Sequence, residues 1–375
     1  MKLRILVMLI ACLMVCNISA RDAAVKPAKA VVQMAILLDT SGSMEGLIEQ
    51  AKTQLWKIVN EMALAKKGNE NPRLEVALYE YGKDAIPASE GYLRMIVPLS
   101  EDLDRISEEL FKLTTNGGSE YCGKVIQSAT NGLNWSKSND DFKVIFIAGN
   151  EPFTQGDVDY KIACKSAISK GIIVNTIHCG DYQTGVSTAW KDGADLADGK
   201  YMNIDQNLKI VHIPAPQDQK IIELGNELNT TYVAYGQEGS ARKERQAMQD
   251  KNASTASEEA MVQRAAAKST THYKNVAWDL VDAEKEGKIK IEDIKDEDLP
   301  EEMKKMSKQE RKEYIEKLKK KRTAIQGKIQ QLKKERDQYV AGKRKAMTGD
   351  KTLDAAMLEA IRDQAEQKNY KFEKK

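Results

Sequence analysis

The sequence predicts an α/β fold, a doubly wound and mostly parallel Rossmann-like sheet, followed by a charged α-helical tail. Three observations carry this. Val31–Leu38, Phe142–Ala148 and Ile172–His178 are almost uninterrupted apolar runs. Such runs mark strands buried on both faces, as in a parallel sheet. Between the strands lie segments with helical apolar spacing, and polar loops begin where the strands stop.

The elements follow in order over residues 31–205. Leu47, Ile48, Ala51, Leu55, Ile58, Val59 and Met62 step at helical intervals behind the first strand. Leu74–Tyr81 and Tyr92–Pro98 read as the second and third strands. Leu103, Ile106, Leu110 and Leu113 mark a helix ending near Thr114, and another runs from about Tyr121 to Leu133. A helix over Val158–Ser169 is closed by Gly171 ahead of the strand at Ile172. A helix near Thr188–Ala197 and a short strand, Lys200–Asp205, complete the set. Residues 206–236 read as a connector or extension of this domain, and residues 237–375 as a polar helical region.

At 375 residues the chain has room for two domains. Its 58 basic and 56 acidic side chains leave net charge +2, which singles out no class of partner. The local distribution is more telling. Asp279–Glu302 holds eleven acidic against four basic residues, whereas Lys304–Lys345 holds seventeen basic against five acidic. Segments of such opposite sign are expected to pair, leaving basic excess on the second. Within it Ile315, Leu318, Arg322, Ile325, Ile329, Leu332, Arg336 and Tyr339 recur at alternating intervals of three and four, a heptad seam over 315–339 interrupted by two arginines. Packing on its own domain and self-association through a coiled coil both fit this pattern. A basic helix could also meet an anionic envelope surface; nucleic acid does not suit an exported protein.

Export is expected from the first twenty residues. Lys2 and Arg4 precede an apolar stretch from Ile5 to Cys16, and Ile18-Ser19-Ala20 ends a signal peptide over residues 1–20. This gives a periplasmic, secreted or cell-surface location. Leu9-Ile10-Ala11-Cys12 offers the alternative of a lipid anchor on Cys12. After cleavage Cys122, Cys164 and Cys179 remain, enough for one bridge and one free thiol. Strand rise and helix rise put Cys179 and Cys122 on the same rim and Cys164 about 11 Å lower, so Cys122–Cys179 is the expected pair. Three separate buried thiols is the alternative.

Chemistry concentrates behind the first strand. Asp39-Thr40-Ser41-Gly42-Ser43 places one carboxylate and two hydroxyls at alternate positions of a tight turn. Hard oxygen donors converging on a rim suit Mg²⁺ or Mn²⁺; a serine-rich turn capping a helix is the plainer reading. Gly149-Asn150-Glu151 and His178-Cys179-Gly180 follow strands that end on the same rim, where ligands of such sheets bind. The serines have no nearby histidine base, His178 suits a buried or rim position, and no phosphate-binding or dinucleotide loop is present. The sequence therefore points to a binding protein and not an enzyme.

Asp39-x-Ser41-Gly42-Ser43 after strand one resembles the metal-ion-dependent adhesion site of von Willebrand factor type A domains, over roughly residues 31–205. The resemblance implies a further hydroxyl from a Gly-Gly-Thr loop, which falls on Ser119 of Gly117-Gly118-Ser119, and an acidic ligand after a later strand. That acid is missing here. Its place falls on Gly149, or on Asn150 with a shift of one, with Glu151 adjacent. The implied function is metal-dependent protein–protein interaction or adhesion, with a partner that presents an acidic group and a helical tail for docking or assembly. The alternative is a structural envelope protein that binds anionic surfaces through the basic tail, with an inactive metal site.

Overall fold

A computed structural model describes residues 29–205, 212–344 and 353–372. The expected signal segment and Cys12 lie outside the described residues. Strand β1 (Val31–Asp39) leads to helix α1 (Glu45–Met62) and the short strand β2 (Ala65–Lys67). β3 (Arg73–Tyr81), β4 (Leu93–Ser100), α2 (Leu103–Lys112), α3 (Cys122–Gly132) and β5 (Phe142–Gly149) follow. α4 (Tyr160–Ser169), β6 (Ile172–Cys179), the short helices α5 (Tyr182–Ser187) and α6 (Trp190–Asp195), and β7 (Tyr201–Ile204) end this half.

The six-stranded sheet runs β4-β3-β1-β5-β6-β7. All its pairings are parallel except β3–β4. Order reverses between β1 and β5, so the rim at their carboxyl ends is the switch point of the sheet. Alternation along β1 sends Met34, Ile36 and Leu38 to one face and Ala35 and Leu37 to the other. The first face packs on Leu55, Trp56 and Val59 of α1; the second packs on Val125 and Ile126 of α3 and Ala163 and Ala167 of α4. Helix starts are set locally. Asp102, Asp159 and Asp181 accept hydrogen bonds from the backbone N–H groups of Arg105, Lys161 and Thr184.

The C-terminal half consists of α7 (Asp218–Asn229), α8 (Gly239–Ala256), α9 (Glu258–Lys268), α10 (Leu280–Lys285), α11 (Glu301–Lys304), α12 (Lys308–Arg344), α13 (Leu353–Gln367) and β8 (Tyr370–Phe372). Val262, Ala266, Ile325, Ile329 and Ile361 join the same apolar cluster as α1 and β1. β8 pairs antiparallel with β2, and the Tyr370 hydroxyl donates to the carbonyl of Val31, so the end of the described chain closes on the start of the sheet. Among the described residues no helix is long and apolar enough to cross a membrane.

The heptad seam lies on one 37-residue helix and packs within the chain. Ile315 and Leu318 meet Val233, Leu280 and Met303, while Ile325 and Ile329 continue into the main core. The two intruding arginines explain themselves. Arg322 donates to Asp279 and Asp282 at 2.6 and 2.7 Å, and Arg336 donates to Asp218 at 2.5 Å and also pairs with Glu259. The acidic segment also meets the basic helix at Lys319–Glu284 and Arg311–Asp296. Tyr339 at the end of the seam is 37 % exposed, and Lys312, Lys317, Lys320, Lys328 and Lys334 line the outer face.

Candidate metal centre

Asp39 is the last residue of β1 and is fully buried. Its Oδ1 accepts the N–H of Ser41 at 2.8 Å, while Oδ2 is buried with no hydrogen-bond partner. The Ser41 and Ser43 hydroxyl oxygens lie 3.3 Å apart in the turn that follows. From the end of β5, Asn150 Nδ2 donates to Ser43 Oγ at 3.1 Å, and Asn150 Oδ1 is also buried without a partner. A buried carboxylate oxygen and a buried amide oxygen, both orphaned beside two hydroxyls, are donors arranged for a cation and left with desolvation costs by the protein alone.

The loop before α3 is stitched to this turn. Asn116 N–H donates to the carbonyl of Thr40 at 3.0 Å, and Asp84 N–H donates to that of Gly117 at 2.6 Å. The approach depends on Gly82, at φ +76°, where a Cβ would lie 2.7 Å from Asp39 Oδ1 and 2.9 Å from Glu120 Cγ. Ser119 follows in the loop and is half-buried.

The same contacts separate the two candidate positions for the missing acid. A Cβ on Gly149 would stand 2.5 Å from the Tyr81 hydroxyl and 3.0 Å from Asp39 Oδ2, so no side chain fits there. Asn150 is the residue whose side chain reaches the serines, and Glu151 follows it with its backbone carbonyl held by Trp190 Nε1 at 2.8 Å.

Glu120 is the residue that sequence reasoning missed. It directly follows Ser119, is 5 % exposed, and its backbone N–H is held by Gln155 at 2.5 Å. Burial pushes its carboxyl up to about 7, and Glu151 adds to the rise against a hydrogen bond with Ser41. Burial likewise pushes Asp39 up to about 7, against hydrogen bonds from Ser41 and with Glu120 and Glu151 adding to the rise. The rim therefore holds more carboxyl groups than the motif alone suggests, and the missing acid does not leave it poor in them. The signal was available, since Glu120 directly follows the candidate hydroxyl ligand Ser119 in the chain.

The cysteines do not form the expected bridge. Cys122, Cys164 and Cys179 are three free, buried thiols. Cys122 Sγ rests 3.9 Å from the Tyr81 hydroxyl, itself bonded to the carbonyl of Ala148, and burial raises all three thiols well above their usual range. His178 is also buried and packs against Trp190 with ring centres 5.8 Å apart.

The family model of the von Willebrand factor type A domain matches residues 33–189, the stretch holding β1 through α5 and the whole rim. Those residues are a von Willebrand factor type A domain. Domains of this family are generally interaction modules. A comparison with curated proteins returns no match. Among solved structures, BatB from Bacteroides thetaiotaomicron is 17 % identical with a TM-score of 0.36, the alignment covering 46 % of this chain and 90 % of that one. A mussel byssus protein, proximal thread matrix protein 1 with a zinc-occupied motif, is 13 % identical over 47 % of this chain and 42 % of its own, with a TM-score of 0.35. The SpaC pilus adhesin of Lactobacillus rhamnosus GG is 15 % identical over 48 % of this chain and 28 % of its own, at 0.34. At these scores the likenesses add nothing to the assignment, which rests on the family match.

Proposed function

We propose that the type A domain is a metal-dependent protein-binding module. Asp39, Ser41, Ser43, Ser119 and the Asn150 amide oxygen hold one Mg²⁺ or Mn²⁺ ion, with Glu120 and Glu151 supplying charge around it. The observation that carries this is the pair of buried, unpartnered oxygens, Asp39 Oδ2 and Asn150 Oδ1, set beside two serine hydroxyls. A dication satisfies both oxygens and offsets the burial, and the lesser mutual repulsion, that lift Asp39 and Glu120. The ion leaves a position open to solvent, and an acidic side chain of a protein partner is the donor suited to fill it. The C-terminal helices brace the domain from the opposite end, with the outer lysines of α12 free to meet an anionic surface.

We place the protein outside the cytoplasm, exported by its first twenty residues, on the charge and apolar pattern of that segment. The test is capture of envelope proteins by the full chain in Mg²⁺ or Mn²⁺, with and without chelator. The double variant Ser41→Ala/Ser43→Ala should behave as the chelated wild type. Capture that survives both chelation and the double substitution would sink the reading and favour binding through α12.

A further inference from the structure

A second group of donors lies away from the rim, where the starts of α7 and α9 meet α12. His212 Nε2 is buried and has no aligned hydrogen-bond partner, although Asp218 Oδ2 is 3.3 Å away and Glu258 Oε2 is 3.7 Å away. One atom from each of the three residues can be chosen so that all lie within 4.8 Å of one another. We propose that His212, Asp218 and Glu258 form a second divalent-cation site, of the zinc class, which clips the segment entering α7 to the first turn of α9. It rests on these residues alone and stands or falls independently of the rim.

The surroundings have the features such a site needs. Glu259 Oε2 lies 3.0 Å from His212 Nδ1. A carboxylate only accepts, so Nδ1 carries a proton; in the neutral tautomer Nε2, which faces the two other carboxylates, keeps its lone pair for a metal. A carboxylate that orients a histidine in this way is the usual outer partner of a zinc ligand. Asp218 is fixed as well, by the N–H of Ala215 on Oδ2 at 2.9 Å and by Arg336 on Oδ1 at 2.5 Å. In a tetrahedral zinc site, ligand atoms about 2.0–2.1 Å from the metal stand roughly 3.3–3.4 Å apart. The His212–Asp218 separation is already there, and Glu258 needs only a small swing.

The charges permit a dication. Asp218, Glu258 and Glu259 are faced by Arg336 and by Lys57, which is 3.6 Å from Glu259. Three carboxylates against two cations leave one negative charge beside the imidazole. Glu258 also lines a cleft of about 480 Å³ together with Asp250 and Ser254, so solvent reaches the cluster from the Glu258 side. The competing account is a metal-free imidazolium clamp, and its weakness is that the Nε2 proton would find no aligned acceptor.

The experiment titrates ZnCl₂ into the full chain carrying Ser41→Ala/Ser43→Ala, so that the rim does not compete. A parallel Co²⁺ titration is read by visible absorption. The expected result is one bound equivalent, a tetrahedral cobalt spectrum and a zinc-dependent rise in Tm. Glu258→Gln, at a side chain 53 % exposed and therefore neutral to folding, should weaken zinc at least tenfold. His212→Gln should abolish the zinc-dependent rise. No zinc uptake, or equal uptake by Glu258→Gln and its parent, would overturn the proposal and leave the imidazolium clamp.

Discussion

Asp39 and Glu120 at the rim, and Asp250 and Glu259 under the C-terminal helices, are all buried carboxyl groups held in opposite ways. At the rim burial goes uncompensated. Asp39 has one oxygen without a partner, its charged neighbours are other acids, and both groups titrate near 7. Beneath the helices burial works in the same direction but is outweighed. Arg264 and Lys268 hold Asp250 down to about 2, and Lys57 and Arg336 hold Glu259 down to about 2. Asp250 and Glu259 are each paired with two cations, while Asp39 and Glu120 have none beside them among the described residues. Pairing marks the first two as acids that serve structure; the absence of it marks the rim acids as candidates for a ligand.

Removing a cation from the paired region should produce the largest effect. Arg264 is fully buried, bonded to Asp104, Asp250 and the carbonyl of Gln246, and stacked 4.7 Å over Trp56. Arg264→Leu leaves Asp104 without its cation and Asp250 with Lys268 alone, and should cost about 3–5 kcal/mol. Urea denaturation measures it, and a loss under about 1 kcal/mol would show the network to be ornamental.

Matched amide substitutions should then split the two regions by sign. Without metal at pH 8, Asp39→Asn relieves an uncompensated charge and should stabilise by on the order of 2 kcal/mol. Asp250→Asn breaks contacts to two cations and should destabilise by a similar amount, roughly 2–3 kcal/mol. Equal signs would erase the contrast.

The pH profile carries the same contrast. Asp39 and Glu120 have raised folded values, so their contribution is complete below about 4 and is lost as pH climbs to about 7. Asp250 and Glu259 have lowered values, so theirs is present above about 4 and is lost as pH falls toward 2. Metal-free protein should therefore be most stable near pH 4–5, and Mg²⁺ should remove the alkaline decline. A flat profile from 5 to 8 without metal would contradict the rim assignment.

Two substitutions sharpen the rim itself. Gly149→Ala drives a methyl group against Tyr81 and Asp39 and should cost about 1–3 kcal/mol, whereas Asn150→Asp should tighten Mg²⁺ about tenfold. Calorimetry on both variants distinguishes the two positions directly.

Much of this architecture is legible in the chain because it rests on composition and period. The apolar runs at 31–38, 142–148 and 172–178 have only one way to be covered on both faces, and Asp39-x-Ser41-Gly42-Ser43 declares its oxygens in adjacent positions. What is hidden depends on contacts between distant residues. β2 and β8 are three-residue strands more than 300 positions apart, the former Ala-Lys-Lys, with too few residues to show alternation. The role of Arg322 in the seam is set by Asp279 and Asp282, some 40 residues earlier. The choice of Asn150 over Gly149 turns on a Tyr81 hydroxyl that no local pattern reveals.

The most direct test of the rim as a cation site is Mg²⁺ and Mn²⁺ calorimetry on the full chain at pH 7, repeated in two buffers of different ionisation enthalpy. The account predicts one saturable site whose apparent heat differs between buffers, because Asp39 and Glu120, pushed up to about 7 by burial, release protons as the ion enters. Millimolar metal that yields no heat and no rise in Tm, or binding with no proton release, would contradict it.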